Sequence, residues 1–132
     1  MNIRKFDKTN EYNKVLNWWK AREMEPVPQD FLSPVGFIVS NDKQSDIAAA
    51  WLYFTPGTKF CQIRFPITNR KSSKEERKEA LDMLFESLHD VAKGIGCDYM
   101  HVTTNCPPLE LRLEKTGYIK TDEKCNHYWG RL

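Results

Sequence analysis

The sequence has no apolar run near the ~18 residues a membrane-spanning helix requires. Its opening, "MNIRKFDKTN", lacks the apolar core of a secretory leader, and a cytoplasmic protein is the expectation. Charge of either sign is not in excess. Twenty Lys and Arg against 18 Asp and Glu leave a net charge of +2. A committed nucleic-acid binder usually carries a strong basic surplus. The four cysteines, Cys61, Cys97, Cys106 and Cys125, form no C-x-x-C pair and no zinc-site spacing. Without a leader a disulfide framework is not expected, so these residues read as buried free thiols. No internal repeat or low-complexity segment stands out. What is present is globular: 132 residues, 40% apolar, with four tryptophans. That length suits one domain, spanning 1–132, with a two- or three-layer core.

The order of elements follows from periodicity and punctuation. Residues 2–6 alternate as a short strand. Residues 8–24 read as a helix capped by Thr9 or Asn10, with Tyr12, Val15, Leu16 and Trp19 on one stripe and Trp18 beside it. Prolines break that helix, and Asp30, Phe31 and Leu32 can form one further turn. Strands are expected at 35–40, 47–54 and 59–67, the last two joined by "TPGT". A long helix over about 73–93 follows, opened by a capping box of Ser73 and Glu76. Its expected buried stripe is Leu81, Leu84, Leu88, Val91 and Ala92, and Gly94 and Gly96 suit its end. A strand at 97–104 comes next, then a short helix from Pro107 to Lys115 with Gly117 past its end. "YIKT" and "CNHYWGRL" are expected to close the chain as a strand pair. A long crossover helix after an antiparallel meander implies a mixed sheet covered by helices.

The stretch "ITNRKSSKEERKEALDML" (67–84) joins a strand end to the long helix. A helix start offers unpaired N–H groups and a partial positive charge to an anion. Glycines usually let phosphate come close to such a backbone, and this stretch has none. It carries Arg70, Lys71, Lys74, Arg77 and Lys78 instead. Two readings stand: an anion site built on cations, or a solvated first turn that Ser73 merely caps.

The element order resembles the GNAT superfamily of N-acetyltransferases over nearly the whole chain. "LRLEKTGYIKT" (111–121) is similar to the family's short helix ending in Lys-x-Gly-aromatic, and "AAAWLYFTPGTKFCQIRFPITN" (48–69) to its central hairpin. "LNWWKAREMEPVPQDFLSPVGFIVS" (16–40) is similar to short GNAT-like proteins of bacteriophage genomes. The resemblance implies an α+β (α/β three-layer) fold, a mixed, mostly antiparallel sheet with helices on both faces. It implies acetyl-CoA as co-substrate, with coenzyme A bound by Phe65, Ile67, Thr68, Arg70, Lys71, Ser72, Ser73, Lys74 and Asn105. Arg70 matches the first position of the family's Arg/Gln-x-x-Gly-x-Gly/Ala loop, whereas Ser73 and Glu75 stand where its glycines belong.

The resemblance further implies acyl transfer to an amine by direct attack. The family's frequent acid, a tyrosine four residues before the glycine of the last helix, is replaced by Leu113. Tyr99 and His101, on one face of a strand, are the substitute candidates for proton transfer. His101 also reads as a structural histidine, and Cys106 has no partner to make it a nucleophile. Trp18 and Phe31 are candidates for an acceptor groove, although aromatics of this kind are more often core. No metal is implied. The acceptor is a small-molecule or macromolecular amine, and a homodimer is compatible with the reading. The alternative is a degenerate GNAT-fold module that binds or inhibits a host protein or nucleic acid. A nucleic-acid-modifying enzyme of the same fold is a third reading.

Overall fold

A computed structural model describes all 132 residues. The chain falls into two compact units, Met1–Val102 and Thr103–Leu132. The first unit begins with strand β1 (Asn2–Lys5) and helix α1 (Lys8–Ala21). Asp7, rather than Thr9 or Asn10, caps α1. Its Oδ1 accepts from the N–H groups of Thr9 and Asn10, both at 3.1 Å. A carboxylate there satisfies two orphan donors and suits the positive end of the helix. A 3-10 turn at Gln29–Phe31 realises the extra turn expected between the prolines and β2.

Strands β2 (Gly36–Ser40), β3 (Asp46–Phe54) and β4 (Phe60–Thr68) form the antiparallel meander. Helix α2 (Lys74–Gly94) crosses back so that β5 (Tyr99–Val102) lies parallel to β4. The sheet is open, in the order β1-β2-β3-β4-β5. "AAAWL" within β3 is buried throughout, as befits a central strand covered on both faces. α2 packs across β2, β3 and β4, while α1 lies on the opposite face and reaches β4.

The core on the α1 face holds Phe6, Val15, Trp18, Trp19, Leu32, Ile38, Ala49, Trp51 and Ile67. Trp51 is fully buried, between Trp19 at 6.0 Å and the edge-to-face ring of Phe6 at 5.1 Å. A tryptophan buries 150–250 Å², worth roughly 4–6 kcal/mol before ordering costs. Exposed ion pairs contribute about 0–1 kcal/mol each, so the aromatic stack anchors α1. Gly36 pairs with Trp51, and a Cβ there would stand 2.2 Å from the indole Cδ1. On the other face α2 buries Ala80, Leu84, Phe85, Leu88 and Ala92. Leu81 and Val91, expected in that stripe, are only half-buried, because the contact face is rotated toward Ala80 and Phe85.

Two expectations are corrected. Cys61 and Cys97 are joined as a disulfide rather than standing as free thiols. The parallel pairing of β5 with β4 brings these positions, 36 residues apart, to a Cα separation of 6.2 Å, within bridging range. Cys106 and Cys125 are free but exposed, not buried. The expected closing strand pair is also absent. The second unit contains α3 (Pro107–Lys115), with Leu109 and Leu113 buried, and no strand after it. Gly117 adopts φ +92 just past the helix end, as its position implied. Ile119, Tyr128 and Leu132 lie exposed beyond it.

A charged corner ties β1, α1 and β3. Arg4 donates to Asp46 at 2.8 Å and to Glu11 at 2.5 Å, and Lys14 pairs with both carboxylates. Burial pushes both carboxyls up. The hydrogen bonds and charges of Arg4 and Lys14 outweigh it at Asp46, and at Glu11 the Asp7 N–H joins them, so both are held below their ordinary values. A carboxyl depressed in the folded state stabilises fully above its unfolded pKa, about 4. That contribution disappears as pH falls through the folded value. The melting temperature should therefore drop on acidification below about pH 4. Asp46→Asn should melt lower than the parent at pH 7 and show a shallower acid decline, both read by thermal denaturation across pH.

Candidate functional site

Of the residues singled out in the sequence, those from 65 to 74 lie at the C-terminal end of β4 and in the loop that leads to α2. The β4–β5 ladder runs only from Phe60↔Tyr99 to Ile63↔Val102. Residues 64–68 therefore have β3 on one side and no strand on the other. The register with β3 shifts between Ala49 and Trp51, and opposite that shift Phe65 takes φ +57. A bulky residue at positive φ is a strained backbone, and bulges of this kind re-aim a strand.

Alternation shows what the open edge offers. The Asn69 N–H donates to Ile47 O at 2.7 Å, so Asn69 faces β3. Thr68 and Pro66 then turn their backbone groups outward. Pro66 has no N–H, which leaves no orphan donor at an edge position. The Thr68 carbonyl accepts from Arg22 Nε at 3.1 Å, and Arg22 Nη2 also donates to Thr68 Oγ1 at 2.5 Å. The outward groups without a protein partner are the Pro66 carbonyl and the Thr68 N–H. Ile67, expected among the coenzyme-binding residues, faces β3 with its backbone and buries its side chain in the core, so it offers nothing to this edge.

The loop that follows is shaped by Asn69, which the sequence reading passed over. Its Nδ2 donates to Asp46 O at 3.1 Å, and its Oδ1 accepts from the Lys71 N–H at 3.0 Å. The Ser72 N–H closes a turn onto Asn69 O at 3.1 Å. At the helix start the capping box is complete. The Glu76 N–H donates to Ser73 Oγ at 3.1 Å, and the Ser73 N–H donates to Glu76 Oε2 at 3.0 Å. Asn41 Nδ2 donates to the other Glu76 oxygen at 2.9 Å. The Asn41 and Ser73 hydrogen bonds hold this carboxyl below its ordinary value. Glu76 thus places an internal anion at the positive end of α2.

The cations divide into two sets. Arg70 donates to Ala21 O at 3.0 Å, and Arg77 donates to Ser72 O. These two brace the loop against α1 and against itself. Lys71, Lys74 and Lys78 are exposed and make no ion pair. The N–H groups of Lys74 and Glu75 also lack a partner, so the helix start keeps two donors and three free cations for an external anion.

The remaining candidates belong to other segments of the chain. His101 pairs with Gln62 across β4–β5, with Nδ1 at 3.3 Å from the Gln62 amide nitrogen. Phe60 flanks the ring at 5.7 Å. Tyr99 is 72% exposed at the start of β5. Gln62 precedes Phe65 by three residues, about 10 Å along a strand. Trp18 is 8% exposed and belongs to the core, leaving little surface for a groove, whereas Phe31 is 37% exposed. Asn105 is exposed in the second unit. No three His, Cys, Asp or Glu side chains stand together as a metal site would require.

No protein-family model matches the chain, and no curated protein matches it. Solved structures do match. An acetyltransferase from Trypanosoma brucei superposes with a TM-score of 0.65 at 12% identity, covering 97% of this chain and 99% of that one. Glucosamine-6-phosphate N-acetyltransferase from Arabidopsis thaliana gives 0.68 at 10% identity, covering 98% of each chain. The aminoglycoside N-acetyltransferase AAC(6')-Iy in complex with CoA gives 0.61 at 14% identity, covering 99% of this chain and 100% of that one. The fold is therefore that of the GNAT acetyltransferases, an α+β mixed sheet with helices on both faces. No helix is long and apolar enough to cross a membrane.

Asn69→Ala removes two hydrogen bonds that hold the loop to β3 and to itself. It should cost about 1–3 kcal/mol, seen as a lower midpoint in urea at unchanged slope.

Proposed function

We propose that this chain is an acyl-CoA-dependent N-acyltransferase that takes acetyl-CoA and an amine acceptor. The observation that supports this most is the open edge of β4 at the Phe65 bulge, leading straight into a helix start with free donors and cations. The donor set fits the coenzyme. Thr68 N–H and the Pro66 carbonyl offer strand-like pairing to an amide-bearing arm. Lys71, Lys74 and the N–H groups of residues 74 and 75 suit a pyrophosphate, with Ser72 and Ser73 lining the turn. Arg70 acts by fixing the loop to the end of α1. Bound coenzyme would supply the thioester: the amine attacks its carbonyl carbon, the C–S bond breaks as the C–N bond forms, and coenzyme A leaves as the thiol with the proton that the amine gives up.

The residues of this chain position that attack. With Pro66 lacking an N–H, Ile67 facing β3 and the Thr68 N–H given to the coenzyme arm, the N–H at the Phe65 bulge polarises the carbonyl oxygen, because a donor aimed at developing charge lowers the barrier. His101 carries the amine's proton through water, given its distance along the strand, and Tyr99 lies on the same face. Phe31 borders the acceptor side, and Trp18 backs it from the core. The likeness of 16–40 to bacteriophage proteins supports action in the cytoplasm of a host cell.

A second reading is a GNAT-fold module that binds a host protein or nucleic acid without catalysis. Two observations favour it. Glu76 already fills part of the anion-binding helix start, and Leu113, buried in α3, stands where the family's frequent tyrosine acid belongs.

Thermal denaturation with acetyl-CoA separates the two. At one hundred times its dissociation constant a ligand adds about 2.7 kcal/mol, a rise on the order of 5–10 °C here. Glu76→Gln keeps the capping geometry and removes the competing charge, so it should bind acetyl-CoA more tightly than the parent. Lys71→Ala/Lys74→Ala should bind it more weakly. No shift in either the parent or Glu76→Gln at millimolar acetyl-CoA would sink the transferase reading and leave the binding module.

A further inference from the structure

The first unit contains five arginines, Arg4, Arg22, Arg64, Arg70 and Arg77. Four of them donate to carboxylate, hydroxyl or carbonyl oxygens of the chain. Arg64 makes no hydrogen bond and no ion pair. Its guanidinium instead lies 4.9 Å from the centroid of the Phe65 ring. It is only partly exposed, so it has given up some water without gaining an oxygen partner.

Its surroundings are defined. Arg64 pairs with Trp51 across β3–β4 and so points to the α1 face. On that face Phe65 stands edge-to-face with Tyr53 at 5.9 Å. The Tyr53 hydroxyl donates to Phe31 O at 2.6 Å and accepts from the Ser33 N–H at 3.1 Å, which fixes the turn carrying Phe31. Burial pushes the Tyr53 phenol up, so it stays neutral and offers Arg64 no counter-charge. The result is a firm aromatic floor with one unpaired guanidinium, adjacent to the bulge. Gln62 and His101 continue the same face along β4 and β5.

We infer that Arg64 is the specificity-determining residue for the acceptor, holding an anionic group, carboxylate or phosphate, carried by a primary amine. The inference rests on the transferase reading. A planar guanidinium takes two oxygens of such a group at once, and a flanking aromatic ring holds its plane. An amine so held has its nitrogen directed along the face toward the bulge. A polycationic amine meets repulsion at the same place.

The test is a titration of the 15N-labelled protein, following the Arg64 Nε–H and the Phe65 amide by NMR. The probes are β-alanine, phosphoethanolamine, and ethanolamine as the neutral counterpart. The expected result is saturable shifts with the two anionic amines and none with ethanolamine at equal concentration. The tighter of the two identifies the anion as carboxylate or phosphate. Arg64→Gln should weaken binding roughly 10–100-fold, since a hydrogen bond to a charged group is lost. Arg64→Lys should fall between, keeping charge but not the fork. Equal binding of ethanolamine, or unchanged affinity in Arg64→Gln, overturns the inference. An acetyl-CoA melt on the same samples keeps the two claims apart. Coenzyme binding without anion preference overturns the Arg64 assignment alone. Anion binding at Arg64 without coenzyme binding leaves the anion site standing and removes the transferase reading.

Discussion

The bulge at Phe65 is the constraint on which the site depends. Without an extra residue there, β4 would continue flat. Positive φ at a phenylalanine costs on the order of 1–3 kcal/mol and persists only where the surroundings enforce it. Here they do so through ring contacts with Tyr53 and Arg64 and through Ile67, which is locked in the core. Pro66 follows at once and removes one of the donors that would otherwise point outward, leaving that of Thr68. The strand beyond the bulge is left with an open edge, while β5 ends its pairing at Val102. Strain, edge and opening arise from the same three or four residues.

The helix start beside this edge shows two uses of one physical resource. Unpaired N–H groups at a helix N-terminus attract an anion from wherever one is supplied. Ser73 and Glu76 satisfy part of that demand internally, Asn41 donates to the Glu76 carboxylate, and Asn69 satisfies the loop before it. What is left over is exposed lysine charge and two backbone donors. A glycine loop would leave more backbone free. This loop relies on cations where glycines would otherwise allow close approach, which makes coenzyme affinity sensitive to the charge of Glu76 and to salt.

Much of this was legible in local sequence. The capping box, the Pro-Gly hairpin, the long crossover helix and the proline-started α3 each rest on short-range chemistry, and each appears where expected. Long-range features were not legible. The Cys61–Cys97 bond depends on which strands pair, and no spacing rule announces it. Trp18 stands off the strict apolar stripe, but it joins Val15 and Trp19 in one core cluster with Leu32 and Trp51, so α1 buries a wider arc than the period alone allows. The closing segment has strand-like composition yet forms no strand, because propensity alone does not supply a pairing partner. At the site, the basic residues were visible but their targets were not. That Arg70 and Arg77 hold backbone carbonyls, while Arg64 holds nothing, is a property of the folded chain only.

The most direct measurement is an acetyl-CoA titration of the 15N-labelled protein, mapping every backbone amide. The account predicts saturable shifts concentrated at Phe65, Thr68, Lys71, Lys74 and Glu75, along the open edge and the helix start. Saturable binding with those amides unmoved, or no saturable shift at any amide, would contradict it.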